Sequence, residues 1–447
     1  MTLTNRYVQY YLNQQRGYGS SPVFKGAPWQ RGYGQVGYGL GGLFRSLARA
    51  VIPLAKSGAK ALGKIALNTG ANVLGDVISG KTPGTEDYVD MSKTILVARA
   101  KVTKADGGDI DDDTKVGPVN NFLHSLFKQV DVFLKGKLVT QATGTYPYRA
   151  YLGTLLNYGP SAKQSQLTAA LFYKDTAGQM DNADPAHASP NRGLKTRNKF
   201  IMGSKIVDMA GPIFCDVFFG ERYLLSYVDL KVVMNRTSDE FVLMSSVDGA
   251  AFRVKLIDAY LKVRKVKVNP SISLAHEVAL KKGPAIYPVR RVDCKSFIIP
   301  SGNPSLQKDN LFNGLVPKSF VFGLVESISI NGESVPFKPI NLSFGANPRF
   351  IEAFLSQFSG TGKMYYDTGN GITREDFPNG FALFGADFTP DMCSASEHFN
   401  TVQKGNLAID LQFSTPPTHA VSLVCYGEFE NIIQIDGERN VVYYYIG

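Results

Sequence analysis

The chain has 447 residues, enough for two or three domains, and its apolar content of 44% is ordinary for globular proteins. No uncharged apolar run approaches the roughly 20 residues that span a bilayer, so we predict contact with membranes at most at their surface. The net charge of +10 is concentrated at one end: residues 1–85 hold ten of the 48 basic residues and one of the 38 acidic ones. The remaining 38 basic and 37 acidic residues nearly cancel, which indicates a neutral body with a basic N-terminal arm that meets a polyanion.

Residues 1–42 are rich in glycine and tyrosine and repeat a short basic motif. Arg-Gly-Tyr-Gly occurs at residues 16–19 and again at 31–34, and Gly-Tyr-Gly follows at 37–39. This composition cannot build a core, so we predict a flexible segment. Its glycines match the spacing of a dinucleotide-binding fingerprint, but that fold needs a preceding strand and a βαβ unit, and the sequence indicates neither.

Residues 43–66 have the periodicity of a basic amphipathic helix. One face of this helix is apolar and consists of Leu47, Val51, Leu54, Gly58, Ala61 and Ile65. The opposite face is basic and consists of Arg45, Arg49, Lys56, Lys60 and Lys64. Three interpretations stay open: the basic face contacts nucleic-acid phosphates, the apolar stripe docks on the body, or the helix makes transient contact with an anionic membrane surface. The first gives as candidate nucleic-acid contacts Arg31, Arg45, Arg49, Lys56, Lys60 and Lys64. We place the end of this arm at residue 85.

Strands and polar loops alternate through residues 86–285, the predicted first domain. Candidate strands cover residues 94–102, a hairpin at 129–139, and 167–173, 213–219, 225–234 and 252–268, with a helix at 148–158. An acidic loop at residues 106–113 resembles half of a calcium loop, but the position of the glutamate that an EF-hand needs is occupied by Gly117. We therefore predict a solvated loop there.

A second series of elements fills residues 286–447, after a connector with a short helix near residues 274–281. The hairpin and the helix after it return near residues 325–335 and 348–360, with Arg149 and Arg349, and Leu155 and Leu355, at the same separation. Each copy holds about eight strands, and eight antiparallel strands in two sheets are the strand number of a jelly roll. The sequence therefore predicts an all-β chain of two tandem eight-stranded jelly rolls, a double jelly roll, with short helices and a basic N-terminal arm.

Cysteines and histidines show none of the spacings that metal or nucleophile sites need. The four cysteines lie at 215, 294, 393 and 425, and no histidine accompanies one of them in a known motif. Residues 360–363, Gly-Thr-Gly-Lys, lack the flanking residues of a phosphate-binding loop. We predict reduced core thiols, no catalytic residue, no metal, no cofactor, and a protein that is not an enzyme.

Longer sequence motifs spread over residues 90–447 give the chain a specific resemblance to a known protein family. They lie at residues 131–139, 146–152, 165–168, 172–178, 222–225, 228–230, 263–267, 269–270, 274–276, 369–372, 374–376, 398–400 and 428–431. The most distinctive are Asp-Val-Phe-Leu-Lys-Gly-Lys-Leu-Val at 131–139 and Tyr-Pro-Tyr-Arg-Ala-Tyr-Leu at 146–152. In these motifs the chain resembles the hexon-type major capsid proteins of adintoviruses and Maverick/Polinton elements. The Gly-Tyr-Gly segment and its basic helix resemble a small basic protein of the same elements, and their fusion to the capsid body departs from the family's pattern.

The resemblance implies a double jelly-roll homotrimer with a pseudo-hexagonal outline, built into an icosahedral shell. The implied partners are further copies of the chain, penton and other minor capsid proteins, and the DNA genome, which the basic arm faces from the shell interior. The implied location is the virion, and the host nucleus or cytoplasm during assembly, without secretion through a signal peptide. Two other functions stay open: a domesticated β-sandwich module that binds nucleic acid or carbohydrate, and an enzyme built on a jelly roll.

Overall fold

The computed structural model describes residues 62–66, 77–82, 84 and 86–447, except residues 142, 248, 250, 324–326, 331–332, 336–341, 345–346, 397 and 444–447. Strands dominate this part of the chain, and a few short helices lie between them. None of the helices in these ranges is long and apolar enough to cross a membrane. The all-β prediction is confirmed.

The first half of the chain builds two antiparallel sheets. Its strands are β1 (Leu62–Ala66), β2 (Val77–Thr82), β3 (Tyr88–Lys104), β4 (Val116–Pro118), β5 (Phe127–Leu134), β6 (Lys137–Leu138), β7 (Val207–Pro212), β8 (Leu230–Arg236), β9 (Leu243–Ser245) and β10 (Phe252–Val266). The sheet orders are β1-β10-β3-β7 and β2-β8-β5-β6, while β4 and β9 pair with each other. Every second side chain of β3 points inward, and these are fully buried: Leu96, Ala98, Ala100 and Val102.

The second half repeats this arrangement. Its strands are β11 (Ala285–Ile299), β12 (Ser305–Lys308), β13 (Leu315–Val316), β14 (Ser319–Gly323), β15 (Ser327–Ile330), β16 (Glu333–Val335), β17 (Leu383–Asp387), β18 (Gln403–Lys404), β19 (Leu407–Gln412), β20 (Val421–Ile435) and β21 (Val441–Tyr443). The sheet orders are β11-β20-β14-β17 and β12-β19-β15-β16, and β21 is an additional strand beside β20. These orders match those of the first half once the short pairs β4–β9 and β13–β18 are left out. Without these short pairs and β21, the eight remaining strands of each half follow the order first-eighth-third-sixth in one sheet and second-seventh-fourth-fifth in the other.

Helices fill the connections between strands. They are α1 (Phe122–Ser125), α2 (Tyr146–Asn157), α3 (Pro160–Gln164), α4 (Arg192–Asn198), α5 (Asp239–Val242), α6 (Pro270–Leu280) and α7 (Ile351–Ser359). Helices α2 and α7 occupy the same place in the topology, since each follows the fifth strand of its jelly roll and precedes the sixth. The hairpin and the helix that the sequence predicts twice are thus equivalent parts of two equivalent domains.

Each half has its own core, and one end of the second half also supports the first. Aliphatic side chains dominate the first core, which includes Tyr287, Ile433 and Tyr443 from β11, β20 and β21. The second core is rich in phenylalanine: Phe320 and Phe322 of β14 lie among several other aromatic rings. The two jelly rolls therefore share buried surface.

The first hairpin has the turn that its sequence predicts. Lys135 and Gly136 connect β5 to β6 and have φ angles of 45° and 82°. Positive φ at both central residues is the conformation of a two-residue hairpin turn, and glycine adopts it without the strain that a Cβ atom causes.

Two strands lie inside the segment that the sequence assigns to the arm. Strand β1 pairs with β10, and β2 pairs with β8. The helix predicted over residues 43–66 is therefore wrong for its last five residues, and residues 43–61 lie outside the described ranges. An edge of β10 gives these residues backbone partners, and this tertiary pairing overrides a local helical period. Because β1 and β2 precede residue 86, the first jelly roll includes part of the predicted arm; the remaining domain limits stay predictions.

Two of the predicted strands are also wrong. Residues 167–173 and 213–219 contain instead the 3₁₀ helices Gln166–Ala170 and Asp216–Phe219. Both segments bury apolar side chains against the first core, for example Ala170 and Val217. A short apolar run has the same composition in a strand and in a buried turn, so periodicity does not separate the two.

Candidate assembly surfaces

Helix α2 makes the junction between the two halves. It belongs to the first half, and its residues Leu152 and Leu156 are buried against Val292, Val321 and Tyr426 of strands β11, β14 and β20. The neighbouring residues of β14 point into the second core, so these three side chains lie on the outward face of their sheet. The helix therefore covers an apolar face of the second jelly roll.

A buried ion pair fixes α2 in this position. Arg149 of α2 donates from Nη2 to Oδ1 of Asp216 at 2.5 Å, and the Val292 N–H donates to the same oxygen at 3.1 Å. One carboxylate thus joins α2, a 3₁₀ helix of the first half and a strand of the second. Burial opposes the charge of Arg149, but the Asp216 carboxylate more than offsets burial and holds the pKa of Arg149 above its ordinary value.

Two lysines, Lys163, which is buried, and Lys363, which is half-buried, hold the C-terminal end of α2. Lys163 donates from Nζ to the carbonyl oxygens of Leu155 at 2.6 Å and of Asn370 at 2.5 Å, which links the two halves. Lys363 of the second half donates to the carbonyl oxygen of Leu156. Burial lowers the pKa of Lys163 to about 7, helped by neighbouring lysine ammonium groups, and burial lowers the pKa of Lys363 to about 8. Both lysines satisfy carbonyl groups at a helix end, where positive charge is favourable.

A cavity of about 50 Å³ lies beside these lysines. Leu156, Lys363, Ser394 and Glu428 are among the residues that line it. A space of this size takes a few water molecules, whereas sites for small organic ligands have volumes of about 300–1,000 Å³. This part of the junction is therefore suited to holding the halves together rather than to binding an organic substrate.

The first jelly roll has an equivalent outward face. Val321 of β14 pairs with Tyr426 of β20, and at the same strand positions Val97 of β3 pairs with Tyr260 of β10. Val97 points outward because the residues on either side of it face the first core. Tyr426 is buried under α2, whereas Tyr260 is half-buried and Ile95, on the same face as Val97, is 41% exposed.

Helix α7 is the counterpart of α2 in the second jelly roll. Each helix buries an alanine in its own core, Ala150 in α2 and Ala353 in α7. Two residues further on, Leu152 is buried at the junction, whereas Leu355 is 39% exposed, and Ile351 at the start of α7 is 37% exposed. The chain thus leaves an apolar strip on α7, and on the first sheet it leaves Tyr260 and Ile95 partly exposed beside the buried Val97; the equivalents of these two surfaces contact each other at the junction.

Of the candidate nucleic-acid contacts, Lys64 is among the described residues, and it lies apart from this junction. Lys64 is part of the edge strand β1, where the backbone register sets it opposite Lys262. The other five lie outside the described residues: Arg31, Arg45, Arg49, Lys56 and Lys60.

The acidic loop at residues 106–113 forms ion pairs with lysines of β3. Lys101 lies 2.7 Å from Asp109 and Lys104 lies 3.0 Å from Asp111. In the described part of the chain, no group of three His, Cys, Asp or Glu side chains is arranged to hold a metal ion. All four cysteines are free thiols, and three of them are buried: Cys215, Cys294 and Cys425.

Sequence reasoning found the elements of the junction but not its contacts. It predicts helix α2, yet it does not single out Arg149 with Asp216, or Lys163. One available signal is that Ala150 and Leu152 are both apolar although they lie about 160° apart around the helix, which indicates that α2 is covered from two directions.

Comparison with known sequences gives one distant relative. No protein-family description matches the chain. An uncharacterized protein of Caenorhabditis elegans is 25% identical over 396 residues, which cover 80% of this chain and 90% of that protein.

Comparison with solved structures identifies the architecture. VP54 of PBCV-1, fitted into a reconstruction of the virophage Sputnik, has a TM-score of 0.53 at 10% identity and covers 87% of this chain and 97% of its own. The mavirus major capsid protein has a TM-score of 0.50 at 11% identity, with 86% and 90% covered. A chain of the Sputnik virophage has a TM-score of 0.54 at 9% identity, with 86% and 87% covered. As the sequence predicts, the chain has the double jelly-roll fold that is found in viral major capsid proteins.

Proposed function

We propose that this chain is a hexon-type major capsid protein that trimerises and assembles an icosahedral viral shell, with no catalytic role. The likeness of its fold to viral major capsid proteins supports the proposal. The resemblance of residues 131–139 and 146–152 to adintovirus and Maverick/Polinton capsid proteins supports the narrower assignment to that group. The virion is then its location, after assembly in the host nucleus or cytoplasm.

The equivalence of the two jelly rolls carries the proposal of a trimer. Within one chain, Leu152 of α2 covers the Val321–Tyr426 pair of the following jelly roll. The same contact between copies places Leu355 of α7 on the Val97–Tyr260 pair of the next chain. Three chains supply six similar jelly rolls, and six similar units joined by one repeated contact close into a ring with a pseudo-hexagonal outline.

The experiment is a measurement of mass in solution for the full chain and for Leu355→Asp. We expect a trimer for the wild type and a shift to monomer for the variant, because a charge on this strip remains unpaired in a buried contact. The matched control is Ile298→Asp on β11, since Ile298 is 70% exposed and lies outside the two surfaces. A wild type that stays monomeric at all protein and salt concentrations contradicts the proposal, and electron microscopy of the same sample shows whether shells form.

The basic arm is the proposed contact with packaged DNA. Its charge is set apart from a neutral body, and inward-facing arms of this kind neutralise phosphates without reading sequence. A truncation at residue 86 is a poor test because it removes strands β1 and β2. The full chain with glutamine at four arm positions, Arg45, Arg49, Lys56 and Lys60, tests the arm and leaves the sheets intact.

We expect this variant to bind duplex DNA more weakly and with a smaller dependence on salt. Each phosphate contact contributes about −0.9 to the slope of log affinity against log salt, so four lost contacts reduce the slope by about 3 to 4. Equal affinity and equal slope for both proteins exclude these four residues as DNA contacts. Penton and minor capsid proteins are the further proposed partners of the assembled shell.

A second candidate is a domesticated β-sandwich module that binds nucleic acid or carbohydrate. The related Caenorhabditis elegans protein favours it, because a chain of this kind is present in an animal. A module of this type acts without building a lattice, so a monomer that binds DNA or glycans and forms no particles supports it over the capsid proposal.

A further inference from the structure

Helix α6, which connects the two jelly rolls, has an apolar face that points to solvent. Ile272 is 46% exposed, Leu274 is 66% exposed and Val278 is 49% exposed, and Ala275 and Ala279 lie exposed between them. A helix on a protein surface normally turns charged or polar side chains outward. A contiguous apolar surface of this kind marks a contact.

The opposite side of α6 is held by the body, so the helix cannot rotate to bury these residues. The ring nitrogen Nδ1 of His276 lies 2.9 Å from the hydroxyl of Tyr88. Glu277 forms an ion pair with Arg439, and Leu280 is buried. The apolar face is therefore a fixed surface that needs an occupant from outside the described part of the chain.

The N-terminal segment enters the fold beside this helix. Strand β1 runs antiparallel to β10, with Leu62 opposite Arg264 and Ala66 opposite Tyr260. The chain therefore enters β1 at the end of the sheet where β10 ends at Val266, and α6 begins four residues later. The N-terminal segment thus joins the first jelly roll at the end of β10 from which α6 follows.

The sequence of that segment complements the face. Leu47, Val51 and Leu54 follow one another at helical spacing, and the basic residues lie on the opposite side. Leu47 to Leu54 spans about 10 Å along a helix, and Ile272 to Val278 spans about 9 Å. About seven residues remain between Leu54 and β1, and an extended chain of that length reaches more than 20 Å, which is enough to turn back along α6.

We infer that the apolar stripe of residues 43–61 docks on the exposed face of α6 in the same chain. The connection through β1 keeps the two surfaces at a high effective concentration, so a small contact is sufficient to hold them together. Docking turns the basic side of the segment outward, next to the exposed residues Lys267, Lys281 and Lys282. The result is a continuous basic surface at the end of the molecule where the two jelly rolls are connected.

Hydrogen exchange of the full chain, followed by mass spectrometry of its peptides, tests the inference. We expect residues 43–61 to be protected in the wild type, and Leu274→Asp to reduce that protection by about tenfold. Val51→Asp should raise exchange in α6 in the reciprocal way. Ile298→Asp, a charge placed at an exposed apolar residue of β11, should leave both segments unchanged.

Two other occupants give different results, and each overturns the inference. Protection of residues 43–61 that grows with protein concentration identifies a second copy as the occupant. Unprotected residues 43–61, together with sedimentation of the wild type but not of Leu274→Asp with phosphatidylserine vesicles, identify an anionic lipid surface. The inference concerns contacts within one chain, so it stands or falls independently of the trimer, which is tested by mass.

Discussion

Replacing Lys163 with methionine removes an ammonium group from the junction and changes how stability depends on pH. Burial lowers the pKa of Lys163 to about 7 from an ordinary value of 10.5. Between these values the unfolded chain binds more protons than the native protein, so the free energy of unfolding rises with pH. One pKa unit corresponds to about 1.4 kcal/mol and the group is half protonated near pH 7, so Lys163 contributes roughly 2 kcal/mol to the rise from about pH 7 to about pH 9.

Urea unfolding of the full chain at several pH values measures this rise. Lys163→Met should lose the contribution of Lys163, about 2 kcal/mol, and keep a further contribution of about 1 kcal/mol that belongs to Lys363, whose pKa is lowered to about 8. Buried thiols oppose the rise near the upper end of the window, but they are common to both proteins and cancel in the comparison. Lys128→Met, at an exposed position of β5, is the matched control and should follow the wild type. Equal slopes for the wild type and Lys163→Met refute the argument.

Three changes elsewhere in the first half test the buried contacts. Arg149→Met should lower the free energy of unfolding by about 3–5 kcal/mol in urea unfolding, because it leaves the carboxylate of Asp216 buried and uncompensated; a change below 1 kcal/mol contradicts this. Leu156→Ala should cost about 2–5 kcal/mol in the same assay, and a cost near zero shows that the site collapses freely or is not packed. Burial lowers the pKa of His124 to about 3, so acid favours the unfolded chain below its ordinary pKa. A neutral His124→Gln variant should therefore lose about 3 kcal/mol less than the wild type between roughly pH 6.5 and 4, as measured by acid unfolding.

The duplication made most of the fold predictable. A strand, a glycine turn, a second strand and a helix return in each half, and both the turn at Gly136 and the long alternating strand β10 are local features with a clear sequence signal. The alternation of β10 and the inward alanines of β3 arise from burial of one sheet face, which composition and period report directly.

The parts that sequence did not predict depend on partners far along the chain. Strand β1 has a period that also suits a helix, and its pairing with β10, nearly two hundred residues away, decides between the two. The 3₁₀ helix Asp216–Phe219 has the composition of a buried strand, but its role is to present Asp216 to Arg149 and Val292. Neither pairing leaves a local trace in the sequence.

The candidate assembly surfaces show this dependence most clearly. Val97 and Val321 have the same position in equivalent strands, and each pairs with a tyrosine, so nothing in the local sequence tells which one is covered within the chain. Helix α2 is joined to the jelly roll that precedes its partner sheet, and that connection makes one contact intramolecular at no cost in association entropy. The equivalent contact of Leu355 needs a second chain and must meet that cost from its own buried surface. Association should therefore depend on protein concentration through α7 alone, while the junction at α2 stays closed in the monomer.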